Sequence, residues 1–128
     1  MMGSNPINLG FRFLLELGSL VIFGYWGWTL GEGVSRYILA IILPLTAAIL
    51  WGTFAVIDDP SRSGNAPIPV SGLFRLILEL VFFGLAVMAT FLSGKKPLAW
   101  ILSGAVIVHY LISYDRVIWL LQQQVKRR

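Results

Sequence analysis

Ionisable side chains are scarce in this sequence, and their spacing is regular. Arg12 and Glu16 stand four residues apart, as do Arg75 and Glu79, and Asp115 is followed directly by Arg116. Each set interrupts an otherwise apolar run. A four-residue spacing puts both groups on one face of a helix. Charges inside apolar segments are costly, so they turn inward and pair. These six residues therefore predict a buried ionic layer of three acids and three bases. An arginine in the first turn with glutamate four residues later is the less favourable order for an isolated helix. Pairing between helices, such as Arg12 with Glu79, Arg75 with Glu16, or either arginine with Asp115, explains that order better. Such a layer serves either as a clasp that fixes helix register or as a site for an ion or solute.

His109 is the only histidine, and Ser113 lies four residues beyond it on the same helical face. The pair marks a second polar site, in midspan. It is either a hydrogen-bonded neutral imidazole or part of a proton relay, for which Thr46 or Thr53 could supply hydroxyls. There are no cysteines, which excludes disulfides, thiolate nucleophiles and cysteine-held metal or iron–sulfur centres. One histidine excludes a multi-histidine metal site. With no nucleophile set beside that histidine, the reading is of a protein that is not an enzyme and holds no metal or cofactor. Gly94-Lys95-Lys96 lacks the spacing of a phosphate-binding loop. Asp58 and Asp59 are expected to end an apolar run and to pair with Arg62 or with the arginines at the borders of the other runs.

The elements that carry these residues follow from composition. The chain has 128 residues, of which 57% are hydrophobic and only 12% charged. Its mean hydropathy is +0.79. An ordinary soluble domain is about 25% charged, so the solvent that fits this chain is a bilayer. Four apolar runs are long enough to cross one as helices, at about 9–30, 37–57, 72–93 and 98–121. They do not alternate with the period of a strand, and the length is too short for a transmembrane barrel. The fold class is therefore all-α, a four-helix transmembrane bundle in a single integral membrane domain over 1–128. The longest loop, from Asp58 to Ser71, is dense in turn formers. With four spans, both termini and that loop share one side. Arg62, Lys126, Arg127 and Arg128 lie there, against Arg36, Lys95 and Lys96 on the other. This places the N- and C-termini in the cytoplasm. The basic residues border apolar runs and form no patch with interleaved aromatics, so no nucleic-acid partner is expected. The partners expected are the lipid bilayer and a second copy or another membrane protein.

An offset of 63 residues lays Phe11-Arg12-Phe13-Leu14-Leu15-Glu16-Leu17 on Phe74-Arg75-Leu76-Ile77-Leu78-Glu79-Leu80, with five of seven positions identical. The bundle is read as two tandem two-helix repeats of like orientation, related by an axis along the membrane normal. Small residues at Gly24, Gly27, Gly31, Ala48 and Gly52 offer faces for close helix packing or dimerisation.

Several blocks resemble one bacterial family. They are Asn5 to Leu17, Gly24-Tyr25-Trp26-Gly27, Trp51-Gly52-Thr53-Phe54 ahead of Asp58-Asp59-Pro60-Ser61-Arg62, and His109-Tyr110-Leu111-Ile112-Ser113-Tyr114-Asp115-Arg116. In this order they resemble the YrdB-like family of small multi-pass membrane proteins. The resemblance implies a bacterial cell-membrane location and carries no catalytic residues. A structural or accessory membrane module is the function class favoured by the residues. A small ion or solute transporter using the intramembrane carboxylates is the alternative, and a membrane enzyme comes last.

Overall fold

The computed structural model describes residues 5–59 and 66–123. Among these, five helices follow in order: α1 Pro6–Leu30, α2 Val34–Thr53, α3 Gly72–Leu92, α4 Lys96–Ile112 and α5 Tyr114–Gln122. Their ends are set by local chemistry. The Asn5 side chain accepts the Ile7 N–H at 2.9 Å and Pro6 opens α1, a cap and a first residue that suit a helix start. The Ser71 hydroxyl accepts the Phe74 N–H at the start of α3. Gly33, with φ +57, and Gly94, with φ +79, make the tight turns into α2 and α4 in a conformation that favours glycine.

α1 and α3 are central. Leu15 and Phe23 of α1 meet Phe82, Phe83, Ala86 and Ala89 of α3 and Leu102 of α4 in one core. α2 packs mainly along α1 and buries none of its residues. Its close approach depends on glycine. A methyl group on Gly27 would strike the Leu39 backbone, and one on Gly31 the Arg36 backbone. Pro44 cannot donate to the Ala40 carbonyl one turn earlier, and Gly24 leaves room for that freed oxygen against α1. The glycines at 24, 27 and 31 are thus used within the chain. Gly52, in contrast, faces open space.

α1, α2 and α3 are each long and apolar enough to cross a membrane. α4 and α5 meet the same test only when taken together, and they are bent by 68°. The fourth apolar run, expected as one helix over 98–121, is therefore broken at Ser113. There the Ser113 N–H still bonds to the His109 carbonyl, but the Arg116 N–H bonds to the Ser113 carbonyl and to the Asp115 carboxylate. α5 starts afresh and folds across the beginning of α3. Gly72 packs directly on the Leu120 backbone and donates its N–H to the Gln123 carbonyl. After α2 a two-residue parallel bridge, β1 Phe54–Ala55 with β2 Ile68–Pro69, ties down both ends of the long loop. The part of the loop that holds Arg62, and the basic residues Lys126, Arg127 and Arg128, lie outside the described residues.

Candidate functional site: an ionic network centred on Glu79

The amino ends of α1 and α3 and the carboxyl ends of α2 and α4 lie at one end of the molecule, and the charged residues meet there. Glu79, on α3, is fully buried. Its Oε2 lies 3.0 Å from Arg12 Nη2, 2.9 Å from Arg75 Nε and 2.7 Å from Arg116 Nη2. Its Oε1 accepts from Arg116 Nη1 at 2.9 Å and from the Tyr110 hydroxyl at 2.7 Å. One carboxylate thus gathers three guanidinium groups from α1, α3 and α5. Such charge-assisted bonds are the strong ones, and Arg116 makes two parallel ones to the same carboxylate.

The other acids divide the remaining positive charge. Asp59 takes the second edge of Arg116, with Nε to Oδ1 at 2.9 Å and Nη2 to Oδ2 at 2.6 Å. Glu16 pairs with Arg12 Nε at 3.1 Å, and its side chain is 24% exposed against 4% for Arg12. Arg75 directs Nη1 to the Trp51 and Phe54 carbonyls, both at 2.6 Å, and so closes the carboxyl end of α2. Two cations lie close to the Trp51 ring, the Arg75 guanidinium carbon at 4.3 Å and that of Arg12 at 5.1 Å from its centroid. Among the described residues the contacts above join three arginines, Arg12, Arg75 and Arg116, and three carboxylates, Glu16, Glu79 and Asp59.

Asp115 is held differently from its expected place beside the arginines. Its Oδ1 accepts the Arg116 backbone N–H at 2.8 Å, at the first turn of α5. The reason is the break at Ser113, which makes Asp115 a helix-start residue while turning the Arg116 side chain inward. Asp59 sits opposite Arg116 because the chain turns sharply after α2, with Asp58 at φ +65. Pairing of Asp59 with a border arginine is the arrangement seen.

The His109 and Ser113 site adjoins this network through a residue that the sequence pattern did not single out. Arg12 Nη1 lies 3.4 Å from His109 Nε2, and His109 Nδ1 lies 3.2 Å from Asn8 Oδ1. Asn8 Nδ2 donates to Ser113 Oγ at 2.6 Å. Arginine can only donate, so His109 Nε2 accepts and Nδ1 carries the proton that goes to Asn8. The chain of donors runs Arg12, His109, Asn8, Ser113. Asn8 is four residues before Arg12, so the same helical stripe could have found it. Tyr110 and Trp51 had no such signal, since aromatic residues abound in apolar runs.

The sequence profile of a family described as "Protein of unknown function (DUF2568)" matches residues 10–107. The chain belongs to this DUF2568 family. It is 42% identical over 119 residues to the "Uncharacterized protein YrdB" of Bacillus subtilis (strain 168), an alignment that covers 93% of this chain and 97% of that protein. The resemblance read from the sequence blocks is thus the family relationship. No solved structure matches the chain. The stretch matched by the DUF2568 profile includes Arg12, Glu16, Asp59, Arg75 and Glu79 and ends before His109 and Arg116.

Proposed function

We propose that this DUF2568 protein is a four-span integral membrane module of structural or accessory type, locked near the inner leaflet by the Glu79 network. In this reading α4 and α5 together make the fourth span of the bundle, and both termini are cytoplasmic. The observation that supports it is the saturation of Glu79 by three arginines and Tyr110. Among the described residues three positive and three negative groups balance, and the only buried side-chain polar atom without a partner is Ser93 Oγ, outside the network. A site waiting for an ion leaves charge or donors over, and this one spends them on holding helices together. We assign it no catalytic step. The like geometry of Arg12–Glu16 and Arg75–Glu79, both four-residue ion pairs, supports the reading of the halves as tandem repeats.

A transporter reading rests on Glu16, which is more exposed than Arg12, Arg75, Arg116, Glu79 or Asp59. Purified protein in liposomes separates the two. With a pH gradient imposed, the module reading expects proton flux equal to protein-free vesicles. Flux that disappears in Glu16→Gln replaces it with transport. Cysteine labelling from one side at Ser35 and Gly94, and from the other at the C-terminus, tests the four-span topology. Labelling of Gly94 and the C-terminus from the same side refutes it.

A further inference from the structure

At the end of the molecule away from the Glu79 network, the last turns of α1 and α3 and the first turn of α4 border a recess of about 250 Å³. Val21, Ile22 and Tyr25 of α1 line it, with Ser93 at the end of α3, Lys95 in the turn and Leu98 of α4. Its wall changes character along the helix axes. Val21 lies four residues before Tyr25, so it is about 6 Å deeper at 1.5 Å per residue. Thr90, one turn inside Ser93, also lines the recess but spends its hydroxyl on the Ala86 carbonyl at 2.7 Å. The deep part is therefore apolar, and the polar groups gather at the mouth, beside the turn between α3 and α4.

Those polar groups are donors left over. The carbonyls of Ala89, Phe91 and Thr90 already accept the N–H groups of Ser93, Gly94 and Lys95, at 2.9, 3.0 and 3.1 Å. Ser93 Oγ, in contrast, is the one buried side-chain polar atom without a partner among the described residues. A buried hydroxyl left so costs free energy, and a single staggered torsion decides where serine offers it. Lys95 is exposed and makes no ion pair among the described residues. The turn itself, Gly94-Lys95-Lys96, carries two cations and no acid. The third cation of this end, Arg36, stacks on Trp28 at 4.2 Å. An ammonium and a free hydroxyl above an apolar slot suit a molecule with an anionic head and an apolar tail.

We propose that this recess holds an anionic glycerophospholipid of the leaflet away from the Glu79 network, its phosphate bound by Lys95 and the Ser93 hydroxyl and an acyl chain laid along Val21, Ile22 and Leu98. This rests on the membrane-spanning reading above. The test uses the full chain in nanodiscs of equal phosphatidylglycerol and phosphatidylcholine with the same acyl chains, followed by release into detergent and native mass spectrometry of retained lipid. The expected result is retention of phosphatidylglycerol over phosphatidylcholine by roughly fivefold, the effect of one basic residue near an anionic surface. Lys95→Gln, at an exposed position that folding does not depend on, abolishes the preference and keeps some lipid bound. Ser93→Ala lowers phosphatidylglycerol retention alone, and without lipid it leaves the melting temperature in detergent unchanged or higher, because no partner is lost. Val21→Trp, which covers the slot, lowers retention of both lipids. Equal retention of the two lipids by the parent overturns the inference, as does a preference unchanged in Lys95→Gln. A lipid-free dimer overturns it in favour of a second copy at the recess. Carbonate extraction of the protein from cell membranes reports on the underlying reading alone: release into the supernatant sinks the spans and the lipid site together. Carbonate resistance with no lipid preference sinks only the lipid site.

Discussion

Arg116 and Glu79 are 37 residues apart and meet edge to edge, with Nη1 to Oε1 at 2.9 Å and Nη2 to Oε2 at 2.7 Å. The other edge of the same guanidinium grips Asp59. One planar group thus joins α5, α3 and the turn after α2. The geometry needs the fork of arginine, which a point-charge ammonium does not reproduce. Arg116→Lys keeps the charge and is expected to lower the melting temperature in detergent clearly, with α5 loosened most in hydrogen exchange. A melting temperature equal to the parent's would show that the charge alone matters.

Asp59 and Asp115 should behave differently. Asp59→Asn leaves Arg116 short of a buried partner, and breaking such a pair typically costs about 3–5 kcal/mol. Asp115→Asn removes a negative charge from the first turn of α5, a favourable position for an acid that is typically worth about 0.3–1 kcal/mol. Thermal unfolding of the two variants in one detergent ranks them. A larger loss in Asp115→Asn would place the partner of Arg116 wrongly.

The donor chain from Arg12 to Ser113 fixes one tautomer of His109, with the proton on Nδ1. Long-range nitrogen–proton correlation spectra of the labelled protein should show Nδ1 protonated and Nε2 bare. Asn8→Leu should shift the Nδ1 resonance, because it removes the acceptor. Finding the proton on Nε2 would break the contact with Arg12.

Two glycines of α1 offer an internal control. Gly27→Ala drives a methyl group into the Leu39 backbone and should push α2 away, with a large fall in stability. Gly18 has nothing within 4 Å of such a methyl. There alanine should be neutral or stabilising by up to about 1 kcal/mol, the helix-propensity difference. Equal effects at the two positions would mean that α1 and α2 are not in close contact.

How far the sequence reached depends on what decides each feature. Apolar run length and the four-residue spacing of Arg12 with Glu16 and Arg75 with Glu79 are local, and they placed three helices and the inward face of two of them. The break at Ser113 has no proline or glycine to announce it. It arises from tertiary contacts: Arg116 with Asp59 and Glu79, and Gly72 under Leu120. Asp59 stood in the right class, as a partner for a border arginine, but its choice of Arg116 depends on the backbone turn at Asp58. Asn8 is on the helical stripe of Arg12, but it lies just ahead of the apolar run that begins at about Leu9, where a polar residue carries no signal. The glycines at 24, 27 and 31 read as faces for close helix packing or dimerisation, because sequence cannot say which neighbour a small residue meets; the neighbour is α2.

If the charges near Glu79 form one coupled clasp, Arg12 and Glu79 depend on each other energetically, and a double-mutant cycle on the two measures that dependence. Their direct contact is 3.0 Å, between α1 and α3. Removing both leaves Arg116 with Asp59 and one charge of each sign, Arg75 and Glu16, so the double variant stays balanced. Unfolding free energies of Arg12→Met, Glu79→Gln and the double variant are measured in the same detergent. A clasp makes each single change strongly destabilising and the double loss smaller than their sum by about 1–3 kcal/mol, within the range for residues in contact. Losses that add to within about 0.5 kcal/mol, as for independent sites, would contradict the clasp.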